Sequence, residues 1–346
     1  MSRSVRALVP ALLAAVLTTG AAAPLAAQEA RPPAPAGDVV GVGNIGHIVQ
    51  DIDASLALYR DALGLEVTVT APFAPTEAIM KMGHTEGAQS RIAVLKLPGL
   101  AAGIELIEYK DIERKAQRPN FVDAGAANVS MRVRDLDGLF AKIEKVPGVK
   151  VLTAGGKPVT LETPNAKLHA VFVQDPDGFV LELLDSTPRA GETATGYVLS
   201  GGSFEPSVAN SEASVKFYNE LLGFNFKLGE KFNDNQTMAS TAGAPGASFR
   251  QSTATIPGTS VPMTLIEFKG GPAKKTLSGR TQDPGTALLQ LVVKDVAALT
   301  KKLKEAGVPV VSAGGAPVEV SPTLKIAIVR DPNNLLLELV ERGAQR

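Results

Sequence analysis

The chain has no cysteine and no tryptophan, and only 5% of its residues are aromatic. Without cysteine there are no disulfides, no metal thiolates and no thiol nucleophile. Scarce aromatics argue against a platform on which nucleobases stack. Net charge is missing as well: 35 lysines and arginines balance 35 aspartates and glutamates, and neither sign gathers into a long run. No global field draws in nucleic acid or an anionic membrane, so nucleic-acid binding is set aside. Histidine occurs three times, at His47, His84 and His169, which leaves few imidazoles for metal or proton chemistry.

Long hydrophobic runs are also lacking. The apolar stretch 7–17 contains Pro10 and is shorter than a membrane-spanning helix requires. Arg3 and Arg6 precede it, and small residues follow to Ala27-Gln28, the layout of a secretory signal. Residues 1–27 are therefore read as a cleaved signal peptide and 28–43 as a flexible leader. The expected location is outside the cytoplasm, periplasmic or secreted, with no stable membrane insertion after cleavage.

What is present is a repeat. ASLALYRDALGLEV at 54–67 returns as ASVKFYNELLGFNF at 213–226, and LIEYK at 106–110 as LIEFK at 265–269. AGGKPV at 154–159 returns as AGGAPV at 313–318, and DPDGFVLEL at 175–183 as DPNNLLLEL at 331–339. Matched segments in one order at nearly constant spacing indicate two tandem copies of one domain. The expected boundaries are 44–186 and 197–342, joined by a polar, turn-forming linker at 187–196.

Each copy is itself doubled. In the first, 44–50 reads as a strand, Asp51 as a helix cap, and Leu56, Tyr59 and Leu63 recur at helical spacing before Gly64 stops the helix. Strands are expected at 65–70, 90–97 and 103–109, with a long loop over 71–89. The pattern restarts with a strand at 128–134, a cap at Asp135, a helix carrying Leu139, Phe140 and Ile143, and strands at 149–152, 168–174 and 179–184. No glycine pair has the strand-to-helix setting of a phosphate loop, and no serine or lysine sits in a nucleophile motif.

Asp51-Ile52-Asp53-Ala54-Ser55 with Tyr59 and Leu63-Gly64-Leu65, followed by Asp175-Pro176-Asp177-Gly178 running into Leu181-Glu182-Leu183, resemble the vicinal oxygen chelate superfamily. Its members include glyoxalase I, bleomycin- and fosfomycin-resistance proteins, methylmalonyl-CoA epimerase and extradiol dioxygenases. The resemblance implies an α+β fold of tandem paired βαβββ modules, each a curved mixed sheet forming a cup with helices outside. It also implies a site: in metal-using members a histidine lies seven residues before each cap, and a glutamate on the fourth and eighth strands. Carried onto the first copy, these positions are Asn44, Glu105, Asn128 and Glu182. Two carboxamides stand where two imidazoles would be.

An amide oxygen is a hard, neutral donor, suited to magnesium, calcium or manganese rather than zinc or iron. The four residues are thus a candidate hard-cation site, or a metal-free pair of catalytic carboxylates, Glu105 and Glu182, in which mutual repulsion raises one pKa. Asn44, Asn128, Tyr109 and Phe172 are the expected ligand contacts; a core role for Tyr109 stays open. His47 and His169 are expected to face away from the cup by strand parity. His84 falls in the long loop, as part of a lid or simply solvated. Glu108 turns away from Glu105, toward an ion pair. In the second copy the matching positions are Ser203, Thr264, Leu288 and Glu338, which hold no metal.

Two functions follow: an exported binder of a small organic molecule, or a glyoxalase- or epimerase-type isomerase using Glu105 and Glu182. An iron dioxygenase needs two histidines in register, which are absent. The expected partner is a small-molecule ligand, with self-association open.

Overall fold

The computed structural model describes residues 37–73, 77–162 and 167–343. The expected signal and most of the leader fall outside them. Among the described residues no helix is long and apolar enough to cross a membrane.

The elements come in four successive units. The first holds β1 (Val39–Val49), α1 (Ile52–Leu56, continuing as a π-helix over Ala57–Ala62), β2 (Val67–Phe73), α2 (Glu77–Gly83), β3 (Gln89–Lys96) and β4 (Gly103–Lys110). The second holds β5 (Ala127–Val133), α3 (Leu136–Ile143), β6 (Lys150–Val151), β7 (Val159–Glu162), β8 (Lys167–Gln174) and β9 (Val180–Asp185). The third holds β10 (Val198–Val208), α4 (Ser211–Lys216, then a π-helix over Phe217–Leu221), α5 (Gln236–Thr241), β11 (Ala247–Thr255) and β12 (Pro262–Gly270). The fourth holds β13 (Ala287–Val293), α6 (Val296–Glu305), β14 (Val318–Ser321), β15 (Leu324–Arg330) and β16 (Leu336–Arg342).

Each unit opens its helix in one way. Asp51, Asp135, Asn210 and Asp295 accept hydrogen bonds from backbone N–H groups of the first turn, for example Asp51 Oδ1 from Asp53 N at 2.9 Å. These caps satisfy donors that the helix itself leaves open. At the other end Gly64 and Gly223 adopt φ of 74° and 75°, a left-handed stop that glycine takes without strain.

The strands form two curved eight-stranded mixed sheets, as the resemblance implied. Which units share a sheet differs from the expectation. The first sheet runs β14-β15-β16-β13-β1-β4-β3-β2, uniting the first and fourth units. The second runs β11-β12-β10-β5-β9-β8-β6, with β7 also on β8, uniting the second and third. The two joins are antiparallel: β1 to β13 (Ile45 opposite Leu289) and β10 to β5 (Phe204 opposite Val129). Each cup therefore draws one half from each sequence copy. Adjacent units share the chain, but sheet-edge pairing is decided by packing, to which linear order is a weak guide.

One continuous apolar cluster joins α1, α3, α4 and α6 to the convex faces of both sheets, with Tyr59, Leu139, Tyr218 and Leu299 at most 1% exposed. Separate clusters line the two concave faces. The shared core is pinned by two matching contacts: Tyr59 Oη donates to Asp175 Oδ2 at 3.0 Å, and Tyr218 Oη to Asp331 Oδ2 at 3.1 Å. In the first, His47 Nε2 also lies 2.9 Å from Asp175 Oδ2, close enough to pair but off a well-formed hydrogen-bond angle.

Candidate functional site: two cups with carboxyl pairs

The first cup is floored by β1, β4, β13 and β16. Strand alternation turns Glu105, Ile107 and Tyr109 of β4 toward the concave side, with Leu288 and Gln290 of β13 and Glu338 of β16 facing them around a cavity of about 250 Å³. Its walls are mostly aliphatic, including Ile92, Ile326 and Ile328. The loop expected over 71–89 contains α2, which sets Ile79 and Met82 over this cavity. His84, just past α2, shares a 3.0 Å hydrogen bond through Nε2 with the Val311 carbonyl. A lid is thereby tied across to the fourth unit.

Gln290 organises the floor. Its Oε1 accepts from the Asn44 backbone N–H at 2.9 Å, within a bulge between Val42 and Ile45. That contact fixes the amide orientation. Nε2 then donates to Glu105 Oε2 at 2.8 Å and to Glu338 Oε2 at 3.2 Å. Burial pushes the Glu105 carboxyl up, with Asn44 and Gln290 hydrogen bonds opposing the shift. Burial, then the charge of Glu105, pushes Glu338 up to about 7. Burial, then Glu338 and Glu105, carries the Tyr109 phenol well above its ordinary value. Near neutral pH Glu338 can therefore take up or release a proton.

The second cup is floored by β5, β9, β10 and β12. Glu182 and Glu205 are 1% and 2% exposed, and Asn128 Nδ2 donates to Glu205 Oε2 at 2.8 Å. Burial pushes Glu205 up to about 8 despite the Asn128 and Ser203 hydrogen bonds. Burial and then the charge of Glu205 drive Glu182 well above the usual carboxylate range. Part of this cup is filled by Phe121, Phe172, Phe249 and Phe268. The rest is a cavity of about 910 Å³ whose wall includes linker residues 191–196. Arg132 holds that linker: it pairs with Glu192 and donates through Nη2 to the Thr187 carbonyl at 2.9 Å.

The four residues expected to converge are thus divided. Asn44 and Glu105 belong to the first sheet and Asn128 and Glu182 to the second, so they form neither one metal site nor one catalytic pair. The structure instead pairs Glu105 with Glu338 and Glu182 with Glu205. Tyr109 lines the first cavity. Phe172 is packed against Phe121 at 5.9 Å in the filled part of the second cup, a core position rather than an open contact. His47 and His169 lie on the convex side, His169 against Asp137 of α3. Glu108 is 3% exposed beside Arg91 and Lys110.

Gln290 and Glu205 were not anticipated from the sequence. Each lies two residues beyond the position given by the resemblance, Leu288 and Ser203, and so on the same strand face. A lone polar residue within ALLQLVV was the available signal.

Two segments, 41–183 and 204–339, match the model of the Glyoxalase/Bleomycin resistance protein/Dioxygenase superfamily. The chain belongs to this superfamily. It is 30% identical over 149 residues to a 2-epi-5-epi-valiolone epimerase from Actinomyces sp., covering 42% of this chain and 79% of that one. A glyoxalase I variant from Zea mays shares the fold with a TM-score of 0.55 at 17% identity, over 88% of this chain and 94% of that one. The imidazole–carboxylate metal set that this superfamily implies does not fit the residues present. Among the described residues no three histidine, aspartate or glutamate side chains gather to hold a metal. In the first cup the Gln290 amide already bonds one oxygen of each carboxyl group.

Proposed function

We propose that this protein is an exported binder of a small, mainly apolar organic molecule bearing a carbonyl or similar polar group, held in the first cup. The observation that carries this reading is the aliphatic cavity of about 250 Å³ with Glu105, Gln290 and Glu338 at its floor. Apolar walls supply affinity and a few convergent polar groups supply orientation, the usual make-up of a ligand pocket. Ligand-observed NMR with cyclohexanone tests it: binding is expected in the wild type and lost in I92W, which fills the cavity. Equal binding to both proteins would rule out this cup.

A second reading, an isomerase, is favoured by the unequal carboxyls. A carboxylate at Glu105 can take a proton from the carbon beside a carbonyl while protonated Glu338 donates to the developing oxyanion. The epimerase relative is consistent with such chemistry. Incubating cyclohexanone in D₂O then produces deuterium next to the carbonyl at a rate above background, abolished in E105Q. No exchange above background leaves binding alone.

A further inference from the structure

The second cup holds buried groups that the function proposed above does not use. Asn128 is fully buried, and because its Nδ2 donates to Glu205, its Oδ1 is the open end, with no hydrogen-bond partner. Glu182 Oε1 is likewise buried without a partner. The amide oxygen is an acceptor, and a carboxyl oxygen is one wherever it carries no proton. An acceptor left open in the interior is unfavourable, and such atoms in a native fold call for an explanation.

The surrounding groups add further acceptors but no charge of opposite sign. Ser203 and Thr264 hydroxyls bond each other at 3.1 Å, and Ser130 bonds Glu182. Positive side chains do not figure among the groups acting on either carboxyl. Arg132, on the cavity wall, is committed to Glu192, Ser186 and Thr187 of the covering segment. Glu182, Glu205, Ser203 and Thr264 all face the cavity of about 910 Å³.

We propose that the second cup binds a small organic amine, whose ammonium N–H groups donate to the Glu182 and Glu205 carboxyls and the Ser203–Thr264 hydroxyl pair beneath the 187–196 strap. An ammonium fits better than a hydroxyl. It presents three donors from one atom and no acceptor, and its charge offsets two carboxyls that otherwise repel. The amine enters neutral and takes the proton held by the carboxyl pair, so the ion pair forms in place. The strap closes over it, with the Arg132–Glu192 contact as its latch.

Isothermal titration calorimetry of the full chain, with cyclohexylamine and with cyclohexanol as the neutral counterpart, tests this. Saturable binding of the amine alone is expected, at least tenfold weaker in E182Q and in E205Q. Both substitutions keep side-chain shape and remove a buried charge, so the melting temperature should hold or rise. T264K is the second variant: its tethered ammonium supplies the missing donor, so it should fold and bind no added amine. The proposal is overturned by no amine binding at about 10 mM, by equal binding of cyclohexanol, or by amine affinity unchanged in both glutamine variants. It is equally overturned if calcium or manganese occupies the site while the amine does not, or if T264K fails to fold.

Discussion

The two cups share a plan and differ in one atom arrangement. In the first, a glutamine sits between two glutamates and donates to both, while its oxygen is held by a backbone N–H 246 positions away in sequence. In the second, an asparagine donates to one glutamate only, and the other keeps an open oxygen. The first floor is closed on itself under an aliphatic, lidded cavity. The second is an open set of acceptors under a polar one. One scaffold, doubled, has produced a floor that is internally satisfied and a floor that awaits a partner.

The difference between the two floors can be probed by substitution. The largest loss of stability should come from Q290L, which leaves Glu105 and Glu338 buried with no shared donor. Denaturant titration should show a loss of about 3 kcal/mol at pH 8 and a smaller one at pH 5, where Glu338 is protonated and less charge is buried. An equal loss at both pH values would mean that the amide acts by packing alone.

Next come the glutamates themselves. A carboxyl whose pKa is raised on folding holds its proton more tightly in the native state. Its contribution is therefore complete below the unfolded value and is lost as pH rises to the folded one. For Glu205 that window runs from 4.5 to about 8, and for Glu338 from 4.5 to about 7. E205Q should remove a decline of roughly 5 kcal/mol across its window and E338Q roughly 3 kcal/mol, read from stability curves at several pH values. If the wild type does not lose stability over this range, the buried-carboxyl account is wrong for both cups.

The two tyrosine contacts form a smaller comparison. Burial alone would raise Asp175, yet the nearby His47 and hydrogen bonds bring it below its ordinary value. Asp331 has Asn333 in place of an imidazole and, chiefly through burial, rises. Y59F gives up a bond to an acceptor whose charged form is favoured, about 2 kcal/mol at pH 7, and should cost more than Y218F. Thermal melts that rank them the other way would refute this account of the two contacts. Smallest is H84A, which removes an exposed lid tether: about 0.5 kcal/mol or less in stability, with faster ligand release from the first cup measurable by NMR line broadening.

Much of the fold was legible because it rests on local chemistry. Asp51, Asp135, Asn210 and Asp295 announce four helices, Gly64 and Gly223 end two of them, and the doubled motif predicts two curved sheets. Strand parity also put His47 and His169 on the convex side, where the structure has them. The site was less legible. Spacing within one copy ties Asn44 to Asn128, whereas the sheets tie Asn44 to Gln290 and Asn128 to Glu205. That exchange depends on which edges meet, a long-range choice among four similar units. A lid at the 71–89 loop was one of two readings, but its helix α2 and the role of the 187–196 strap were missed for a related reason: both are short and weakly patterned, and are positioned by the facing unit.

The interleaved order also sets a schedule for assembly. When only the first half of the chain exists, β1 and β5 each present a bare edge whose partner has yet to appear. The β5 edge waits for β10, close behind, but the β1 edge waits until β13 arrives. Such distant closure is slow, and an uncovered edge is prone to join other chains. The cup that begins the polypeptide is thus the one completed last, and it is where assistance from a chaperone would matter most.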